Sequence, residues 1–403
     1  MLGELWLLTL FVVGVAAVWS GDMLLTLTVM LTALISASLL VWRRYCLSGV
    51  AYRRRLGTTH AAFGETVALR LELTNLKPLP LTWLRIEDAM PNGLSVEGGT
   101  VQPPNPGRPS RLSVLAAMLP YERVTRRLHI RCDRRGELQL GPATLESGDY
   151  LGVLTRRAAH PGTDRLIVYP KLFPVHFGKL PSNRLLGRDK AHRGFLPDPV
   201  RGIGAREYRA GDPYRSIDWR SSARSDMLMV RVAEPSTTPL LDIVLSFDTT
   251  GFGAWEQDAL EFAISVAASV ARHAVEQRWA VGLCGNGDSG GRPIGIRPSG
   301  APQQLRLILE ALARADASPT GSLAGLLVRH TRTAQAGSTL LLITTRLESA
   351  ERGALHEIHR RGWPLLVVLI ARTYKVAVPD PFPVLRLPYD EAWTKRDALV
   401  LGA

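Results

Sequence analysis

The sequence predicts a two-helix transmembrane hairpin, then a β-sandwich-like domain, then an α/β domain with a mostly parallel sheet. Three observations carry this. Leu2 to Trp19 and Met23 to Trp42 are apolar runs, each close to the roughly 20 residues that an α-helix needs to cross a hydrocarbon core. From about His60, apolar residues recur at every second position; after Leu240, short apolar runs alternate with stretches at helical spacing. The expected boundaries are 1–45 for the hairpin, 46–172 for the β domain, 173–236 for a polar connector and 237–403 for the α/β domain.

In the hairpin, Glu4 is the one charge of the first run and the second run has none. Both runs are apolar around their whole circumference, which argues against a buried core hairpin. Ser20-Gly21-Asp22 is a short turn between antiparallel helices. Arg43 and Arg44 follow the second run directly, and Arg53-Arg54-Arg55 come within reach of the head groups, whereas the turn carries only Asp22. The positive-inside rule then gives a two-pass protein of the cell membrane with its body in the cytoplasm. Membrane lipid is the expected partner of residues 2–19 and 23–42. The first run lacks the basic n-region and A-x-A site of a cleaved signal peptide.

At 403 residues the chain is too long for one core, so two soluble domains are expected behind the membrane segment. The net charge of +13 is compatible with anionic head groups, acidic protein partners or a mere habit of composition. The basic residues are spread out and no stacking aromatics interleave with them, so no nucleic-acid partner is expected. Cys46, Cys132 and Cys284 form an odd, widely spaced set. That pattern fits a reducing compartment and neither a zinc site nor a disulfide framework.

In the β domain Val67, Leu69, Leu71 and Leu73 alternate with Ala68, Arg70, Glu72 and Thr74, as on a half-buried strand. Pro78, Pro80, Pro91-Asn92-Gly93 and the Pro103 to Pro109 stretch punctuate further strands. Leu128-His129-Ile130 and Leu138-Gln139-Leu140 continue them. In the α/β domain Leu240–Phe247, Trp279–Cys284, Thr339–Ile343 and Leu365–Ile370 read as buried parallel strands. Helices are expected from Trp255 to Ala274, Pro302 to Ala315, Leu323 to Thr331 and Ala350 to Arg361, on both faces of the sheet. A ligand would lie at the carboxyl ends of the strands.

The connector holds the densest polar segment, REYRAGDPYRSIDWRSSAR. It resembles the signature of the bacterial domain-of-unknown-function family 58, approximately R-x-Y-x-x-G-D-x-x-R-x-I-x-W-x-x-[ST]-A-R. Arg206, Tyr208, Gly211, Asp212, Arg215, Ile217, Trp219, Ala223 and Arg224 fill its fixed positions. Arg135-Gly136 with Gly141-Pro142, Asp149-Tyr150-Leu151-Gly152 and Tyr169-Pro170 are further matches. The resemblance implies a C-terminal domain similar to a von Willebrand factor A domain and a partner ATPase of the MoxR-type AAA+ class. It implies no enzymatic activity.

The resemblance also defines a metal question. An A-type domain holds a divalent ion through D-x-S-x-S and later Thr and Asp residues, hard oxygen ligands suited to magnesium. Here Asp248, Thr250 and Thr320 remain as candidates. Phe252 cannot ligate, and Thr344-Thr345-Arg346 stands where the intact motif has Asp. The metal site is therefore expected to be degenerate, with weak magnesium binding at most. The Arg-rich motif has three readings: a scaffold network, a docking face, or Asp212 and Asp218 as paired acid and base. The expectation is that Asp212 and Trp219 pack as scaffold while Arg209 and Arg220 point outward. No P-loop or dinucleotide fingerprint appears. The expected function is a membrane-anchored, non-enzymatic adaptor for an AAA+ ATPase in a chaperone-like assembly. The alternative is a membrane-tethered hydrolase or ligand-binding sensor using the motif's carboxylates.

Overall fold

The computed structural model describes residues 2–92, 94–103, 110–149, 155–177, 202–208, 217–225, 227–233, 238–248, 254–335, 337–372 and 381–401. The chain forms two compact units, Met1–Tyr169 and Pro170–Ala403.

The first unit opens with helices α1 (Leu2–Ser20) and α2 (Met23–Tyr45). Among the described residues, α2 is the one helix long and apolar enough to cross a bilayer. Asp22 caps its start, its Oδ1 accepting the Leu24 and Leu25 N–H groups at 3.0 and 3.2 Å. At the other end Lys77 Nζ donates to the Tyr45 and Cys46 carbonyls, and Arg156 donates to the Arg44 carbonyl. These cations satisfy carbonyls that a helix end leaves open. Burial holds the Lys77 ammonium below its usual range. The base of α2 is thus fastened to the β domain.

That domain contains β1 (Val50–Leu56), β2 (His60–Ala61), β3 (Thr66–Asn75), β4 (Leu81–Met90), β5 (Leu94–Glu97) and β6 (Thr100–Gln102). It continues with β7 (Ser110–Met118), β8 (Arg123–Cys132), β9 (Gly136–Leu140), β10 (Ala143–Gly148), β11 (Thr155–His160) and β12 (Asp164–Val168). A four-stranded sheet runs β1-β3-β8-β5 and a five-stranded sheet runs β11-β10-β4-β7-β6; a small mixed sheet, β2-β12-β9, accompanies them. Leu69, Leu71 and Leu73 of the first sheet share one core with Leu84, Ile86 and Leu112 of the second. The alternation read from Val67 to Leu73 therefore marks the inward face. It breaks at Glu72, which is buried because Arg123 and Arg55 pair with it.

Two expectations need correction. The β structure starts at Val50 rather than near His60, because Arg53-Arg54-Arg55 lie on β1. Arg54 is also not available to head groups. Its side chain is 3% exposed, and Nη1 lies 2.6 Å from Oδ1 of Asp88, which is fully buried. Its Nε donates to Asp164 at 2.7 Å, and its Nη2 donates to the Leu140 and Gly162 carbonyls. Tyr52 donates its hydroxyl to Asp88 at 2.8 Å. Arg53 and Arg55 remain exposed.

The second unit contains β13 (Val175–Phe177), β14 (Gly202–Glu207), α3 (Trp219–Ser225), β15 (Met229–Ala233), β16 (Leu240–Leu245) and α4 (Ala254–Glu276). Then come β17 (Ala280–Ser289), β18 (Pro293–Ser299), α5 (Gln304–Arg314), β19 (Ala315–Pro319), α6 (Leu323–Thr333) and β20 (Thr339–Thr344). The chain closes with α7 (Ser349–Arg360), β21 (Leu365–Ala371), β22 (Val384–Pro388) and β23 (Leu399–Leu401). The main sheet is ordered β18-β17-β16-β20-β21-β22; β18 and β19 pair antiparallel with β17, and the other neighbours pair parallel. Val244, Leu340, Leu342 and Val367 pack with Leu327 of α6 and Leu355 of α7. Alternate strand residues face the other way, and α4 lies against β16, β17, β20 and β21 with Phe262, Ala263 and Val266 fully buried.

Strand β17 outruns the expected Trp279–Cys284 segment and ends at Ser289. Gly285-Asn286-Gly287-Asp288 has the composition of a turn, yet it extends the strand. Gly287 allows this, since a Cβ there would come within 2.6 Å of the Phe247 ring.

Candidate functional site

The order of the main sheet reverses direction at β16, so the crevice beyond its carboxyl end is the topological switch point of the fold. Asp248 lies there, just past β16, and Asn286 of β17 organises its surroundings. Asn286 Nδ2 donates to Asp248 Oδ1 at 2.9 Å and to the Gly321 carbonyl at 3.0 Å. Its Oδ1 accepts the Phe247 N–H at 2.8 Å, and its own carbonyl accepts the Thr320 hydroxyl at 3.0 Å. One buried residue, through its side-chain amide and its main-chain carbonyl, thus joins Asp248 to Thr320, two of the three metal-site candidates named from the sequence. Thr250 and Phe252 lie outside the described residues.

Beyond β20, Thr344 Oγ1 donates to the Arg346 carbonyl and accepts its N–H at 3.2 Å, which fixes the turn. Arg346 pairs with Glu348 and acts electrostatically on Asp248. Burial is the largest influence on Asp248 and raises its carboxyl above the usual range. The Asn286 hydrogen bond and the Leu323 N–H at the start of α6 oppose it. Glu351 is likewise raised, first by burial, and its carboxylate accepts the Glu348 N–H at 2.8 Å.

These residues do not fit a resident divalent cation. A buried N–H occupies one Asp248 oxygen, and a guanidinium stands on the third loop. Calorimetry of the full chain in detergent should show no saturable magnesium binding at micromolar metal; a one-site isotherm lost in Asp248→Ala would reverse this reading.

Asn286 was not legible in the sequence, because a polar residue between two glycines looks like a turn. Asn286→Ala should destabilise the protein by about 2–3 kcal/mol, since it strands the buried Phe247 N–H and frees Asp248 of its donor. A chemical melt with an unchanged midpoint would contradict this.

A second polar cluster also escaped the sequence reading. His330 of α6 reaches the buried Asp242 of β16, with Nε2 3.5 Å from Oδ2. Cys284 of β17 adjoins the pair. Asp242, and then Cys284, push the imidazole pKa up to about 10.

The Arg-rich motif is divided. Gly211, Asp212, Arg215 and Arg209 lie outside the described residues. Arg206 is on β14, and the Tyr208 N–H donates to the Leu228 carbonyl at 2.7 Å. Ile217 is buried and bridges to Val230. Asp218 caps α3, its Oδ1 accepting the Arg220 and Ser221 N–H groups at 3.2 and 3.3 Å. This gives Asp218 a structural task at the start of α3. Trp219, expected to pack on a core, is 68% exposed. It is the first residue of α3. Ala223, Arg220 and Arg224 are exposed too.

Strand β14, the motif and the sheet through β21 form one continuous stretch of chain. Residues 204–370 match the family described as Protein of unknown function DUF58. The DUF58 match therefore spans the hairpin that carries the motif and the crevice residues Asp248, Asn286, Thr320 and Arg346. The chain is also 25% identical over 254 residues to the Uncharacterized protein YeaD of Bacillus subtilis (strain 168). That alignment covers 60% of this chain and 57% of YeaD, so the chain matches less than two thirds of its relative. Among solved structures, a cohesin module of a Clostridium perfringens glycoside hydrolase is 9% identical with a TM-score of 0.21, covering 30% of this chain and 96% of that one. A CARDB domain from Pyrococcus furiosus is 8% identical with a TM-score of 0.20, covering 30% and 91%. Likenesses at these scores carry no argument.

Proposed function

We propose that the protein is a membrane-anchored, non-enzymatic adaptor whose α/β domain engages a MoxR-type AAA+ ATPase in a chaperone-like assembly. The observation that carries this reading is the crevice itself. Asp248 is tied to Asn286 and Arg346 to Glu348. A site arranged this way presents fixed charge to a partner and offers little to a reacting substrate. The sheet order, with its antiparallel edge strand, supports a domain built like a von Willebrand factor A domain. Exposed Trp219, Arg220 and Arg224 on α3 support the docking reading of the motif, since aromatic and Arg side chains are the usual anchors of interfaces. In this proposal α1 and α2 cross the bilayer as a hairpin and the body lies in the cytoplasm, with Arg43 and Arg44 as the positive flank.

Capture of the full chain from detergent extract, with and without ATP, should bring down an AAA+ ATPase. Trp219→Ala should abolish capture without altering the melting temperature. A reporter fused after Ala403 should be active as a cytoplasmic fusion. An external C-terminus, or capture that Trp219→Ala leaves intact, would defeat the corresponding part. Asp248 and Glu351, both raised carboxyls in one crevice, favour the sensor or hydrolase as the second reading. It predicts a small molecule whose binding is lost in Asp248→Asn.

A further inference from the structure

The outward face of the four-stranded sheet carries an unbalanced row of positive charge. Strand register puts Arg55 opposite Arg70 and Arg70 opposite Arg127, three guanidinium groups in line across β1, β3 and β8. Like charges directly across a ladder repel and destabilise it. The neighbouring carboxylate, Glu72, is already committed, lying 2.7 Å from Arg123 and 3.6 Å from Arg55. Arg126 and Arg127 form no ion pair among the described residues. The row borders a concavity of about 690 Å³, lined by Arg70, Arg123, Thr125, Arg126 and Arg127, by Glu72, whose charge Arg123 offsets, and by Gly98 and Leu128.

The chemistry of this lining is selective. Guanidinium forks hold phosphate and carboxylate oxygens in bidentate fashion, and Thr125 adds a hydroxyl donor. Arginines that converge from two strands suit a tetrahedral group, which offers three oxygens in different directions, better than a planar carboxylate, which offers two. Among the described residues no aromatic ring lines the concavity, so none of them stacks on a nucleobase there. We propose that this concavity binds a phosphate ester, with Arg70, Arg123 and Arg127 holding its oxygens. The ester comes either from a phospholipid head group, since α2 belongs to the same unit, or from a free phosphorylated metabolite. The inference is independent of the ATPase reading, because it concerns the other unit of the chain.

The test uses the full chain in a zwitterionic detergent at low salt, titrated calorimetrically with dihexanoyl phosphatidic acid, glycerol 3-phosphate, dihexanoyl phosphatidylcholine and citrate. Saturable binding of at least one phosphate monoester is expected. Arg70→Gln and Arg127→Gln should each weaken it about tenfold or more, with melting temperatures unchanged. Arg131→Gln, on β8 but outside the concavity, should leave it intact. Phosphatidic acid binding alone identifies the head group; equal binding of glycerol 3-phosphate identifies the free ester. Absence of saturation by either overturns the proposal. So does citrate binding as tight as the ester, or an equal loss in Arg131→Gln, which would reduce the site to diffuse positive charge.

Discussion

Asp88→Ala should destabilise the first unit by about 3–5 kcal/mol, the usual cost of leaving one member of a buried ion pair without its partner. Asp88 is fully buried between Tyr52 and Arg54. Its removal leaves the Arg54 guanidinium inside the core with only the half-exposed Asp164 as counter-charge. It also takes the acceptor from the Tyr52 hydroxyl, which burial, and then Asp88, hold in the neutral form by raising its pKa. A loss of this size is comparable with a large part of a typical domain's stability. The full chain should therefore accumulate in reduced amount and melt at a lower temperature. Arg54→Ala strands Asp88 in the same way and should cost as much. The pair together with Tyr52 is a candidate for replacement by well-packed apolar residues, and a triple variant, Tyr52→Phe with Arg54→Met and Asp88→Leu, should recover most of the loss. A single Asp88→Ala variant with wild-type melting would show that Asp164 alone balances Arg54.

His330→Ala should cost on the order of 3 kcal/mol, the lower end for a buried pair because 3.5 Å is long for a hydrogen bond. The effect has a defined dependence on pH. The imidazole is raised from its ordinary 6.5 to about 10 in the folded protein. The folded state therefore binds a proton that the unfolded chain releases above 6.5. The stabilisation is fully present below pH 6.5, declines as pH rises beyond it, and is gone above about 10. The stability gap between wild type and His330→Ala should accordingly be widest in mildly acidic buffer and close towards pH 10. Imidazole resonances give the direct check. Those of His330 should stay at the protonated position from pH 6 to about pH 8.5, where an unperturbed histidine has already titrated. A midpoint near 6.5 would remove the ion pair from the account. Asp242→Asn should bring the midpoint down and cost a similar amount, because it leaves the charged ring unpaired beside β16.

Much of the architecture was legible because its causes are local. The apolar length of Met23 to Trp42 is a property of consecutive residues, and α2 forms there. Val67, Leu69, Leu71 and Leu73 alternate because one face of β3 is buried, and Leu240 to Leu245 is apolar at every position but Asp242 because β16 is covered on both faces. Periodicity records which face of an element meets the core, and it does so within a few residues of chain. What it does not record is which polar residue meets which. Arg53, Arg54 and Arg55 read identically as a basic flank, yet Arg54 alone faces Asp88, which lies on β4. Asn286 looked like part of a turn until Phe247 filled the space over Gly287 and Asp248 came within reach of its amide. Asp242 and His330, like Arg70 and Arg127, are distant in sequence and adjacent only through strand register and helix packing. The sequence by itself determined the long apolar helix, the alternating strands and the α/β periodicity, because those depend on apolar surface near in the chain. The tertiary structure decided the charge partners, because burial and pairing depend on residues that only the folded chain brings within a few ångströms.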